Sequence, residues 1–183
     1  MTWRRRRISS RRPPAPNDDI ILVRRKHRTY LGVLLPVLVA DRVTKALATS
    51  HLPPGIPKDV FGEAVRFTLV FNRDAAMNIT LGPWSRWGFA AIAVIGVIVM
   101  LRLLHLSASS DWHRAAALGL ISAGAIGNLI DRLLSDRGVI DFIDIGIGSH
   151  RFWVFNVADA GVTVGAVTLA VIFSREGSTR SSS

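Results

Sequence analysis

Apolar residues gather into four long blocks, at about residues 30–48, 84–103, 114–133 and 152–173, separated by polar connections. Each approaches the ~20 residues that an α-helix needs to cross a bilayer. The first block is apolar through Ala40 and then carries Asp41, Arg42 and Lys45. Asp41 and Lys45 are four apart, so they share a helical face and can pair. Pro36 predicts a kink midway, which membranes tolerate, and His51-Leu52-Pro53-Pro54-Gly55 ends the helix. The second block holds no charge between Arg86 and Arg102, and Trp84 and Trp87 mark an interface. The third is rich in small residues (Ser122, Ala123, Gly124, Ala125, Gly127) that allow close helix packing, and the fourth carries Gly161 and Gly165 four apart. Between the first two blocks Val65, Phe67, Leu69 and Phe71 alternate with Arg66, Thr68 and Val70, the pattern of a short, half-buried strand. The expected fold is mainly α and integral to the membrane: four transmembrane helices with a small extracytoplasmic β element between helices 1 and 2.

Composition agrees. The chain has 183 residues, 49% of them hydrophobic, and a mean hydropathy of +0.33, with a single domain as the default at this length. The net charge of +10 reads as membrane topology because of where it lies: ten of the 23 Lys and Arg residues fall in the first 28 positions. Residues 1–28 are expected to be a disordered, basic cytoplasmic tail whose arginines touch anionic lipid, with no nucleic-acid partner and no removable signal peptide. Residues 29–174 form the membrane domain and 175–183 a cytoplasmic tail. The N-terminal segment, the 102–114 loop and the C-terminal tail hold fourteen Lys and Arg, against six in the other two connections. Both termini are therefore expected in the cytoplasm, with the 50–86 and 133–151 connections outside. There is no cysteine, which excludes disulfides, thiolate catalysis and zinc–thiolate sites.

The candidate chemistry is carboxylate chemistry. Asp159 lies just inside the fourth block, which runs to Phe173 with no other charge, and an intramembrane carboxylate is costly and usually functional. Asp141 precedes it in the last outer connection, close enough in sequence to fold back beside it, with Asp144 a competing candidate. Two carboxyl groups held together share one proton, so one serves as acid while the other, as base, activates a water. The plainer alternatives are a helix-start carboxylate at Asp159 and a loop carboxylate at Asp141. Asp131-Arg132 reads plainly as a buried ion pair or helix-end pair at the outer end of the third helix, with Asp131 mostly structural and Arg132 binding substrate backbone or lipid headgroup. Asn128 and Asn156 read as interhelical hydrogen-bonding residues or as groups orienting the pair. The five histidines are scattered, against a histidine metal site. A carboxylate metal site from Asp136, Asp141, Asp144 and Asp159 is conceivable. Proton relay in a small transporter is disfavoured, because the acids cluster at one face instead of lining a path.

Gly127-Asn128-Leu129-Ile130-Asp131-Arg132, Val139-Ile140-Asp141-Phe142 and Phe155-Asn156-Val157-Ala158-Asp159, in this order, resemble lipoprotein signal peptidase (signal peptidase II), a family of integral-membrane aspartyl proteases of bacteria. Asp41-Arg42-Val43-Thr44-Lys45 is similar to that family's Asp-x-x-x-Lys element, and Asn72-Arg73-Asp74-Ala75-Ala76-Met77 falls where the family has Asn-x-Gly-Ala-Ala-Phe. The resemblance covers roughly Leu31 to Phe173. It implies that Asp141 and Asp159 are catalytic, that Asn72, Asn128, Arg132 and Asn156 bind substrate or support the site, and that Asp41 and Lys45 form a structural pair. Asp74 departs from the family glycine and Met77 from its phenylalanine. The aspartate adds charge near the pair, and Arg73 is placed to neutralise it.

What the resemblance implies is an enzyme of the bacterial cell (inner) membrane, its site near the outer leaflet, needing no metal or other cofactor. Its partners are membrane lipid and a prolipoprotein carrying a diacylglyceryl-cysteine, cut on the amino side of that cysteine. The alternatives are a relative that binds lipidated or hydrophobic helices without cutting them and, behind it, a small proton- or ion-coupled transporter.

Overall fold

A computed structural model describes residues 16–74 and 80–181, with side chains over 22–74 and 80–178. The expected tail over residues 1–15 and the 75–79 stretch with Met77 lie outside them. The described residues form four long helices, α1 (Pro16–His51), α2 (Ser85–Leu106), α3 (Trp112–Leu134) and α4 (Val157–Ser181), with a pair of strands after α1, β1 (Lys58–Phe61) and β2 (Val65–Asn72), and another before α4, β3 (Val139–Ile147) and β4 (His150–Arg151). A single 3₁₀ turn, Gly82–Trp84, leads into α2.

Helix α3 is the hub, packed against α1, α2 and α4. Its small residues make this possible. A side-chain carbon at Gly124 would lie 2.2 Å from the carbonyl oxygen of Ala158, so only glycine lets α4 approach. Tyr30, Leu34, Leu104, Ala115, Leu118, Ala123 and Leu169 form the core among the helices. Three helical segments are long and apolar enough to cross a membrane: Gly82–Leu106, Trp112–Leu134 and Val157–Ser178. Helix α1 is built inside out. It exposes Leu31, Leu35, Val39, Val43 and Leu47 at every fourth position and buries Asp41 and Lys45 completely.

The strand expected over 65–71 is β2. The sheet, however, is not confined to the connection between the first two helices. Its order is β1-β2-β3-β4, all antiparallel, and β3 and β4 come from the connection between α3 and α4. The reason is physical: β2 presents an open hydrogen-bonding edge, and the alternating segment 139–147 fills it, pairing Val70 with Asp141 and Asn72 with Val139. Ala48, Leu69 and Phe142 form a second core between sheet and helices.

The helix bounds also differ from the expected ones. Helix α1 starts at Pro16, inside the expected tail, and α4 continues to Ser181, through the expected C-terminal one. At its other end α4 starts at Val157 and not near 152, because Phe155 is held by backbone hydrogen bonds with Phe142 and Ile143 of β3. That detour delivers Asn156 and Asp159 to the strand that carries Asp141.

Candidate active site

Asn156 is the residue just before α4, and its side-chain oxygen accepts from the Asp159 N–H at 2.9 Å. The Asp159 carboxylate returns the bond, accepting from the Asn156 N–H at 3.1 Å. This is a reciprocal capping box with aspartate in the usual glutamate position. The Asn156 amide nitrogen then donates outward, to Asp141 Oδ1 at 2.7 Å. One fully buried asparagine thus ties the two aspartates together. Asp141 also accepts from the Asn72 amide at 3.2 Å, across the β2–β3 pairing.

Asn128, on α3, donates to the other oxygen of Asp159 at 2.8 Å and accepts from Lys45 Nζ at 2.9 Å. Lysine can only donate, so the amide of Asn128 is fixed with its oxygen toward Lys45 and its nitrogen toward Asp159. Lys45 in turn lies 2.9 Å from Asp41 and 2.7 Å from Asp131, which also pairs with Arg42. Asp41 accepts from the Ala158 N–H at 2.9 Å, and Asp131 from the Ile140 N–H at 3.2 Å. The ionic cluster therefore holds both β3 and the start of α4, one residue from each catalytic candidate. Gly127 gives Asp41 its room: a side-chain carbon there would come 2.5 Å from its carboxylate.

Electrostatics separates the two aspartates. Asp141 is 3% exposed, and burial first, then the neighbouring Asp159 charge, push its carboxyl up to about 7. Asp159, half-buried, occupies the first turn of α4 with both oxygens hydrogen-bonded to N–H groups. The competing Asp144 faces the other way along β3 and is engaged by Arg151 at 2.6 Å and Thr68 at 3.0 Å. Among the described residues no three His, Asp or Glu side chains converge as metal ligands.

Arg132 is 8% exposed, lies over the Phe89 ring and donates to the carbonyl oxygens of Asn128 and Asp74. The Asp74 carboxylate points away from the aspartate pair, toward the start of α2, where Ser85 donates to it at 2.7 Å; hydrogen bonding by Ser85 and Thr80 holds its carboxyl below the usual range. Its backbone N–H reaches Asn72 Oδ1 at 3.1 Å, turning the amide nitrogen of Asn72 toward Asp141. Sequence reasoning missed this tie through Ser85, and it missed that Lys45 serves two aspartates. A signal for the latter was present: Asp41/Lys45 and Asn128/Asp131 put two polar faces on otherwise apolar helices, and such faces must meet.

A bundle of apolar helices closed at one end by two linked aspartates is the architecture of an integral-membrane aspartic hydrolase. The sequence profile of the Signal peptidase (SPase) II family matches residues 33–175, and the chain belongs to that family. It is 40% identical over 147 residues to the lipoprotein signal peptidase of Hydrogenovibrio crunogenus, an alignment spanning 78% of this chain and 82% of that one. To the lipoprotein signal peptidase of Mycobacterium avium it is 41% identical over 155 residues, 81% and 80% of the two chains. Two solved bacterial membrane enzymes share the fold. One, at 29% identity, has a TM-score of 0.76 over 82% of this chain and 90% of its own; the other, at 30%, has 0.71 over 79% and 92%.

Proposed function

We infer that this chain is an aspartic endopeptidase of the bacterial membrane that removes signal peptides from prolipoproteins, cutting on the amino side of a diacylglyceryl-cysteine. The observation that carries the reading is Asn156, which holds Asp141 through its side chain and Asp159 through its backbone.

With its carboxyl raised to about 7, Asp141 keeps the shared proton below that pH and serves as the acid, with Asp159 as the base. Asp159 takes a proton from a water whose oxygen attacks the scissile carbonyl, while Asp141 gives its proton to the carbonyl oxygen. The tetrahedral diol collapses: one hydroxyl returns its proton to Asp141 as the carbonyl re-forms, the C–N bond breaks, and the proton held by Asp159 passes to the departing amine. Asn72, Asn128 and Asn156 orient the carboxylates, Arg132 binds substrate backbone or lipid headgroup, and Asp41 with Lys45 braces the site. No metal enters any step.

Helix α1 is the fourth span. Its exposed Leu and Val stripe suits lipid, and Asp41 and Lys45, which lower its mean hydropathy, are buried away from that stripe. With both termini cytoplasmic by the basic count, the sheet and the aspartates lie at the outer leaflet. The non-cleaving alternative rested on Asp74, whose carboxylate is bound to Ser85 instead of facing the pair. Cleavage of a lipid-modified prolipoprotein by the purified protein in detergent tests the reading. Product from the original chain and none from a folded Asp159→Asn variant is expected; equal product from both overturns it.

A further inference from the structure

A cavity of about 400 Å³ opens at the outer ends of α2 and α3, lined by Arg73, Arg86 and Arg132 but by neither Asp141 nor Asp159. Among the described residues none of these three arginines makes an ion pair. Two carboxylates, Asp74 and Asp136, line the cavity against these three cations, and Arg132 also feels the charges of Asp131, Asp141 and Asp159 behind it. Arg132 is more than nine-tenths buried, and among the described residues its Nε–H has no hydrogen-bond partner. A buried donor left unpaired is costly, so a ligand oxygen beside it is favoured. Arg86 is held in place: two of its nitrogens donate to the carbonyls of Arg132 and Leu133, and its guanidinium lies 4.9 Å from the Trp87 ring centre.

The surroundings give the cavity a depth. Trp84 and Trp87, at its edge, are 73% and 55% exposed, as indoles are at the head-group level of a bilayer. Below them Ile92, Ile95 and Val99 form an exposed apolar stripe down α2. We propose that this cavity binds the phosphate of an anionic glycerophospholipid, whose acyl chains lie along the α2 stripe. Guanidinium forks match phosphate oxygens in pairs, and three of them against two lining carboxylates leave the cavity net positive.

The test reads lipid retention, not cleavage, so it stands or falls apart from the peptidase reading. The full chain in detergent is titrated with phosphatidylglycerol or phosphatidylcholine, and bound lipid is counted by native mass spectrometry. About tenfold preference for phosphatidylglycerol is expected. R73Q/R86Q loses that preference, while R102Q, at the far end of α2, keeps it. R73Q alone, whose side chain is exposed, weakens the preference without touching the helix contacts of Arg86. Equal retention of both lipids, or an undiminished preference in R73Q/R86Q, overturns the proposal. Complete displacement of the lipid by millimolar inorganic phosphate overturns the lipid source in favour of a free anion.

Discussion

Asn156 and Asp159 are bound to each other twice, each side chain accepting from the other's backbone N–H, at 2.9 and 3.1 Å. The helix start and the catalytic candidate are therefore one construction. Any change at Asn156 acts on stability through the cap and on chemistry through the amide that reaches Asp141, and the two effects are separable.

Asn156→Ser keeps a cap oxygen but no amide. Thermal unfolding in detergent should stay near that of the original protein, whereas cleavage falls on the order of 10²-fold, the cost of misplacing a reacting group. Asn156→Ala should lose both, with about 1 kcal/mol of stability going with the cap. Cleavage by the serine variant at the original rate would mean that the amide does not position Asp141.

Asp141 with its carboxyl raised to about 7 has two consequences. For activity, kcat/KM should fall as pH rises through about 7 and the acid loses its proton. For stability, the native state binds the proton more tightly than the unfolded chain. This contribution is fully present below about pH 4, the unfolded value, and lost as pH rises to about 7; it is on the order of 4 kcal/mol. Melting curves at pH 4.5 and 7.5 should show the loss in the original protein and its absence in Asp141→Asn.

Lys45→Met leaves Asp41 and Asp131 buried without their shared cation. Removing one partner of a buried pair costs about 3–5 kcal/mol, so the variant should melt far lower or fail to accumulate. Lys45→Met combined with Asp131→Asn should recover part of that loss, measured as melting temperature in the same detergent.

Asp74→Gly restores the residue the family box carries and removes the bond to Ser85. Because the carboxylate does not face the aspartate pair, cleavage should stay within about threefold. A much larger change in either direction would show that the aspartate acts on the reaction itself.

Much of this was legible in the sequence. Uncharged runs mark α2, α3 and α4; the 65–71 alternation gives β2; Asp141 and Asp159 stand out as carboxylates in apolar settings. The partners were harder. That β3 closes the sheet depends on pairing between segments some seventy residues apart, which local alternation does not encode, and the late start of α4 follows from that pairing. Asp144 could be set aside only once Arg151 was seen beside it. The Ser85 contact of Asp74 is likewise a tertiary event, invisible to spacing.

The inward charges of α1 impose an order on assembly. During synthesis α1 emerges first, and Asp41 and Lys45, four apart on one face, can neutralise each other at once. Arg42 has no counter-ion until Asp131 follows at the end of α3, and the Asp41 carboxylate waits longer still for the Ala158 N–H. The first helix is thus a half-finished socket that α3 and then α4 complete. The two candidate catalytic carboxylates come into register in that same last step, so a chain that stalls before α4 docks holds Asp141 without its linked partner.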